Sequence, residues 1–259
     1  MVSVGVSGQA GKRLLAVSAA AVLLVAFLAW RGGDARARLL RTAIDDVPGQ
    51  PGLMALAESS GRSVFANTCA SCHGDGGRGD RNRGIPDLTD RDWLYGSGSP
   101  SDTERVVVYG VRSHNPKGWN LSDMPAFAQS KPSPSYAVPP LTPGQLHDVT
   151  EFVVQLSGRP ADAVATARGA RVFANGGSCF DCHSGDAAGD TAIGAPNLTD
   201  GTWLYGDGSR VAIARSIARG RAGVMPGFQD RLSPFQLRAA ALYAYALSHD
   251  HPKPATKAK

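Results

Sequence analysis

The most apolar stretch of the chain is an unbroken run at residues 14–30, LLAVSAAAVLLVAFLAW, which holds no charged side chain and follows Lys12 and Arg13. Its length is the short end of a membrane-spanning helix and the long end of a signal-peptide core. An A-x-A at residues 35–37 resembles a cleavage site, but Arg31 and Asp34 separate it from the run and Arg36 lies within it, so an uncleaved anchor helix is predicted. Beyond it the pattern becomes amphipathic. GRSVFANTCASCH at 61–73 spaces Val64, Phe65 and Cys69 as a helix would, and the glycines after the histidine stop it. LTPGQLHDVTEFVVQLSGR at 141–159 offers Thr142 as N-cap and Pro143 at the first helical position, then places Leu146, Val149, Val153 and Leu156 along one face. LSPFQLRAAALYAYALSH at 232–249 opens in the same way on Ser233 and Pro234. Between these helices lie loops rich in Gly, Pro and Asp, with little of the alternation that marks strands, so a mostly α fold is predicted.

The pattern is written twice. GRSVFANTCASCH returns at 169–183 as GARVFANGGSCFDCH, PDLTDRDWLYG at 86–96 as PNLTDGTWLYG at 196–206, MPAF at 124–127 as MPGF at 225–228, and LTPGQL at 141–146 as LSPFQL at 232–237. Two units of this length, repeated once, indicate tandem domains and not a solenoid. The predicted organisation is a leader at 1–13, the anchor at 14–30, a linker at 31–57, one domain at 58–159, a linker at 160–168, a second domain at 169–250 and a basic tail at 251–259. The repeats differ before the first cysteine, where the second is two residues longer, after Met124, where SKPSPSYAVPP at 130–140 lengthens the loop, and most plainly before Met124. SHNPKGWNLSD at 113–123 is an insertion, so that 51 positions separate His73 from Met124 while 42 separate His183 from Met225. His114 lies within it, on what reads as a polar surface loop.

Charge changes this picture little. The chain's formal +5 is carried by the leader and linker at 1–57 and by Lys253, Lys257 and Lys259 in the tail, while the repeats are close to neutral. No basic face with interleaved aromatics occurs, which argues against nucleic-acid binding.

The four cysteines change it more. All of them fall in CxxCH motifs, Cys69, Cys72 and His73 in the first repeat and Cys179, Cys182 and His183 in the second. Two thiols followed by an imidazole suit either a zinc site or covalent haem attachment. Zinc needs a further ligand at matching positions, and neither a third cysteine nor a paired histidine is present. A haem iron held by histidine takes a second axial ligand when it only passes electrons, and a methionine thioether raises its potential. Met124 and Met225 occupy the same place in each repeat, each before a proline, and are the candidates. In register, Met124 pairs with the first motif and Met225 with the second. Loop-rich domains with so little core also call for a staple, and a covalent cofactor serves as one.

CxxCH, then NLTDGTWLYG, then GRAGVMPGF resembles the diheme cytochrome c subunit, of CcoP or FixP type, of the cbb-type (C-family) haem-copper oxidases, over roughly residues 52–250. The resemblance implies two tandem class I cytochrome c domains behind one membrane helix, each built around a covalent haem c. It implies that Pro86 and Pro196 offer their carbonyls to His73 and His183, that Leu88 and Leu198 pack on the haem faces, and that Trp93 and Trp203 lie near the haem edges. The implied partners are the oxidase's catalytic and monohaem cytochrome subunits, with a quinol-oxidising complex or small cytochrome c as electron donor. The implied place is the bacterial inner membrane, single-pass, with the haem domains in the periplasm. Arg31, Arg36, Arg38 and Arg41 after the span outnumber the basic residues before it, which alone would place the body inside. Haem attachment on the outer side of the membrane decides for the periplasm. No catalytic residue is expected. The other readings are a free-standing diheme carrier, the cytochrome subunit of a periplasmic dehydrogenase, and a diheme peroxidase in which one iron keeps an open position.

Overall fold

The computed structural model describes residues 33–135 and 137–249, with positions 22, 23 and 25. The expected leader and basic tail lie outside the described residues. So does the expected anchor, except that positions 22, 23 and 25 are helical and exposed. Among the described residues no helix is long and apolar enough to cross a membrane. The chain divides into two compact units, residues 1–56 and 57–259.

In the first unit, residues 33–41 form helix α1 and a 3₁₀ turn follows at Ile44–Asp46, with Leu39, Ile44, Val47 and Leu53 buried. Helix α2, Pro51–Val64, runs from this unit into the next. The second unit holds α3 (Ala70–His73), α4 (Pro100–Tyr109), α5 (Pro143–Leu156), α6 (Ala163–Arg171), α7 (Phe180–His183), α8 (Arg210–Arg219) and α9 (Pro234–His249). Among the described residues the only extended pairings are isolated bridges. The fold is mostly helical, as the pattern predicts.

The caps follow the sequence. Thr142 accepts from the Gln145 amide and its own amide donates to Gln145 Oε1, a reciprocal capping box with Pro143 at the first helical position. Ser233 and Gln236 make the same pair at the start of α9. The predicted apolar face of α5 is inward: Val149 and Val153 are buried, and Leu146 and Leu156 pack on the same cluster.

The packing units differ from the chain repeats. The sequence reading gives each repeat its own core, at 58–159 and 169–250. The helices pair across the repeats instead: α5 of the first packs on α6 and α8 of the second, and α9 of the second packs on α4 of the first. One core joins Phe127, Leu141, Val149, Val153 and Val154 to Val172, Phe173, Ile213 and Ile217. The other brings Tyr243 of α9 against Phe65, ring centres 5.3 Å apart, and pairs Arg238 with Glu104.

The physical reason is the short connection 157–162 between α5 and α6. A loop of this length makes consecutive helices antiparallel neighbours, so α5 folds back on α6 and α9 takes the corresponding place in the first repeat. The connection is held down. Glu151, buried in α5, accepts from the Asp162 amide and from the Arg210 guanidinium, which also donates to the Pro160 carbonyl. The Arg210 hydrogen bond keeps the Glu151 carboxyl below its usual range. Across the same joint Arg168 binds Asp148 with two nitrogens, each at 2.7 Å.

The exchanged helices approach most closely at one glycine in each repeat. A β-carbon on Gly169 would stand 2.0 Å from the Asp148 carbonyl oxygen, and one on Gly61 2.1 Å from the Ala239 oxygen. These obstacles are backbone, so the helices must part. Gly169→Ala is expected to destabilise the protein by about 1–3 kcal/mol, and thermal unfolding should show a midpoint lower by roughly 2–4 °C per kcal/mol. An unchanged midpoint would contradict the crossing of α5 and α6 at this point.

Candidate functional site

Each CxxCH sits where a helix is interrupted. Helix α2 widens into a π-helical turn at Phe65–Cys69, α3 carries the motif, and Gly74 at φ +74° ends it. The second repeat does the same with a π-turn at Val172–Gly176 and with Ser184 at φ +67° in place of the glycine. Its two extra residues are absorbed between the π-turn and α7, where Ser178 takes φ +50°. Such turns put residues out of the helical register and recur at functional sites.

The ring nitrogens of the two histidines are divided between tasks. His73 Nδ1 lies 3.4 Å from the Pro86 carbonyl oxygen and His183 Nδ1 3.0 Å from that of Pro196. A bond of this kind fixes the tautomer and leaves Nε2 unprotonated for a metal. Burial lowers both histidine pKa values, which favours the neutral ring. The four cysteines are free, and burial pushes the Cys179 thiol up to about 11. Among the described residues no group of three or more His, Cys, Asp or Glu side chains is placed to hold a metal ion.

Beside the first motif lies a cavity of about 490 Å³, within the range of cofactor pockets. Cys69, Cys72, His73, Pro86, Leu88 and Trp93 all line it, the residues the sequence assigns to this site. The methionine on its wall is Met225, from the second repeat. Met124 packs against the core that joins α5 to the second π-turn and α8, as Cys179, Leu198 and Trp203 also do. Met225, and not the in-register Met124, therefore borders the cavity beside His73.

The exchange is symmetric in the backbone. Met225 and Val111 exchange both amide–carbonyl bonds, at 2.9 and 3.0 Å, and so do Met124 and Arg221, at 2.9 and 3.1 Å. Each methionine segment is thus an extra short strand on the loop after the other repeat's fourth or eighth helix. His114 is exposed at φ +65° on the insertion and is not on the cavity wall.

Other residues of the site were missed by the sequence reading. Tyr205 lines the first cavity and lies against Gly84, while Tyr95 lies against Gly194 of the second repeat. The repeated WLYG carried that signal, but only its tryptophan was read. Tyr95 Oη, on the cavity wall, is buried without a hydrogen-bond partner. A carboxylate of a bound group would satisfy it, as haem propionates do for polar side chains. Two thiols, an imidazole with its far nitrogen bound, an apolar cavity and a thioether on its wall all fit a c-type haem.

Asp92 lines the same cavity. The surrounding protein, with the carboxylates of Asp200 and Asp90 nearby, pushes its carboxyl up to about 6. The folded state then keeps a proton that the unfolded chain has released, so this group's contribution is most favourable at low pH and declines as pH rises from about 4 to about 6. Asp92→Asn is expected to raise the melting temperature at pH 7 and leave it unchanged at pH 4. The side chain still reaches solvent, so the gain should be a fraction of that for a dry carboxylate. Paired thermal melts at the two pH values test this.

A mostly helical chain with two such CxxCH sites has the makings of a c-type cytochrome. The chain belongs to the family described as cytochrome c oxidase, cbb3-type, subunit III, which matches it twice, at residues 57–137 and 164–243. It is 39% identical over 216 residues to the cbb3-type cytochrome c oxidase subunit FixP of Bradyrhizobium sp. (strain ORS 278), covering 83% of this chain and 69% of the relative. Identity to the subunit CcoP of Cereibacter sphaeroides is 36% over 212 residues, 82% of this chain and 68% of that one. With FixP of Rhizobium meliloti (strain 1021) it is 32% over 242 residues, 92% and 78%.

Proposed function

We propose that this protein is a diheme c-type cytochrome of a bacterial inner membrane that relays electrons to the catalytic subunit of a cbb3-type oxidase. Cys69 and Cys72 bind one haem through thioether bonds, Cys179 and Cys182 the other, and His73 and His183 are the proximal ligands. The distal sulfurs cross over, with Met225 serving the first haem and Met124 the second. Pro86, Leu88 and Trp93 support the first haem, and Pro196, Leu198 and Trp203 the second. The observation that carries this reading is the single cavity lined by Cys69, Cys72, His73 and Met225.

When bound, each haem supplies a one-electron iron couple. The chain's own part is to set its potential, through the proline carbonyl behind each histidine, the thioether opposite it and the exclusion of water by the apolar wall. Residues 14–30 anchor the protein, with both haem sites in the periplasm. The partners are the oxidase's catalytic and monohaem cytochrome subunits, and the donor is a quinol-oxidising complex or small cytochrome c. Support for the partners comes from relatives named as oxidase subunits.

Purification from detergent-solubilised membranes tests the whole. Co-isolation with a copper-containing subunit, two haems per chain by pyridine haemochrome, and two sulfur-to-iron charge-transfer bands in the near infrared are expected. A diheme protein free of copper would leave a stand-alone carrier, and a single band would return a labile iron and enzyme chemistry.

A further inference from the structure

The two methionine segments are paired alike in the backbone, and one side chain, that of Arg112, reaches across from the first repeat to the segment before Met225. Arg112, which lines the first cavity, donates from Nε to the Gly223 carbonyl at 2.7 Å and from Nη1 to the Ser122 carbonyl at 2.8 Å. Gly223 is two residues before Met225, and Ser122, in the insertion at 113–123, is two residues before Met124. The insertion also fixes the arginine's backbone. The Arg112 amide donates to the Trp119 carbonyl, and Arg112 takes φ +47°, a conformation that non-glycine residues rarely adopt. The insertion is itself tied to the second repeat, by Ser122 Oγ donating to the Ile193 carbonyl.

At the second site the residue that corresponds to Arg112 is not an arginine. Arg221 pairs with Met124 through its backbone as Val111 does with Met225, so the position of Arg112 is taken there by Ala222. The Arg221 side chain turns instead to Ser216 of its own repeat, at 3.1 and 2.8 Å, and lies over Tyr205.

A thioether is a weak axial ligand, so its hold on an iron depends on how well the backbone keeps it in place. The segment before Met225 needs such help. It comes from a different repeat, and Val224 beside the methionine is 65% exposed. We infer that Arg112 is a positioning residue for the first haem: its guanidinium bridges the insertion to the Met225 segment and so holds the distal sulfur in place. This gives the insertion, absent from the second repeat, a role. The inference rests on the crossed ligation proposed above.

The test uses the full-length holoprotein with Arg112→Ala, Arg112→Lys, Met225→Ala, Met124→Ala and the double variants. The readouts are the two charge-transfer bands, carbon monoxide bound per molecule in the reduced state, and the two midpoint potentials. Met225→Ala should lose one band and bind one carbon monoxide. Two charge-assisted bonds are removed in Arg112→Ala, so the sulfur-off population should rise by on the order of tenfold to a hundredfold at that one iron. Its band should weaken and its midpoint potential fall by more than those of the other haem, whose methionine segment keeps the Ser122 Oγ bond to the Ile193 carbonyl.

Arg112→Ala should add little to Met225→Ala but should open the second of two irons when combined with Met124→Ala. Lysine can satisfy only one of the two carbonyls and should give an intermediate loss. Wild-type bands and potentials in Arg112→Ala, with Met225→Ala behaving as expected, overturn the inference. Should Arg112→Ala fail to fold, wild-type values in Arg112→Lys overturn it. If Met225→Ala itself keeps both bands, the crossed ligation has failed instead.

Discussion

With Cys69 and Cys72 replaced by alanine, the protein should carry only the haem of the second motif, and in that background Met225→Ala is expected to leave the near-infrared spectrum unchanged. Met124→Ala in the same background should abolish the charge-transfer band and open the iron to carbon monoxide. The converse background, without Cys179 and Cys182, should reverse the roles. In-register ligation predicts the opposite for every variant, so the two arrangements differ by the whole of one band. The expectation rests on Met225 lining the cavity of Cys69, Cys72 and His73, while Met124 packs against the same core as Cys179. Loss of a thioether ligand should also lower that haem's midpoint potential, because methionine favours the reduced iron. Circular dichroism of each variant separates loss of a ligand from loss of the fold.

Cutting the chain within residues 157–162, at an inserted protease site, is expected to leave the two halves together with both haems. They should elute as one species and part only on denaturation. Two domains built each from its own repeat would instead separate after the cut. The difference follows from where the helices pack: α5 belongs to the first half and lies on α6 and α8 of the second, while α9 returns the exchange on α4. Phe127, Leu141, Val149, Val153 and Val154 alone are five apolar side chains that the first half buries against the second half's core. At about 1.5–3 kcal/mol each on full burial, they contribute on the order of 10 kcal/mol, comparable to a micromolar to nanomolar affinity even before α9 is counted. The reciprocal core adds to this, so dilution alone should not part the halves.

Much of the site was legible from residues. CxxCH narrows the chemistry to zinc or covalent haem, because two thiols one turn apart and an adjacent imidazole can reach a single group, and the repeated methionine favours haem. The proline carbonyls behind both histidines, at Pro86 and Pro196, are where the resemblance puts them. The helix starts at Thr142 and Ser233 were readable because a capping hydroxyl, a following proline and a glutamine three residues on act locally. The tyrosines and Arg112 were not readable, since their partners lie about a hundred residues away in the chain.

By itself, then, the sequence determined which kinds of residue are on offer: two CxxCH motifs, each followed by a methionine before proline, set in one unit written twice. The tertiary structure alone decided which methionine borders the cavity beside His73. Two copies of one pattern present each motif with two chemically equal partners, and periodicity cannot choose between them. The choice fell to the geometry of closure. Six residues between α5 and α6 turn the first repeat's last helix onto the second repeat, and the methionine segments are carried across with the exchanged helices.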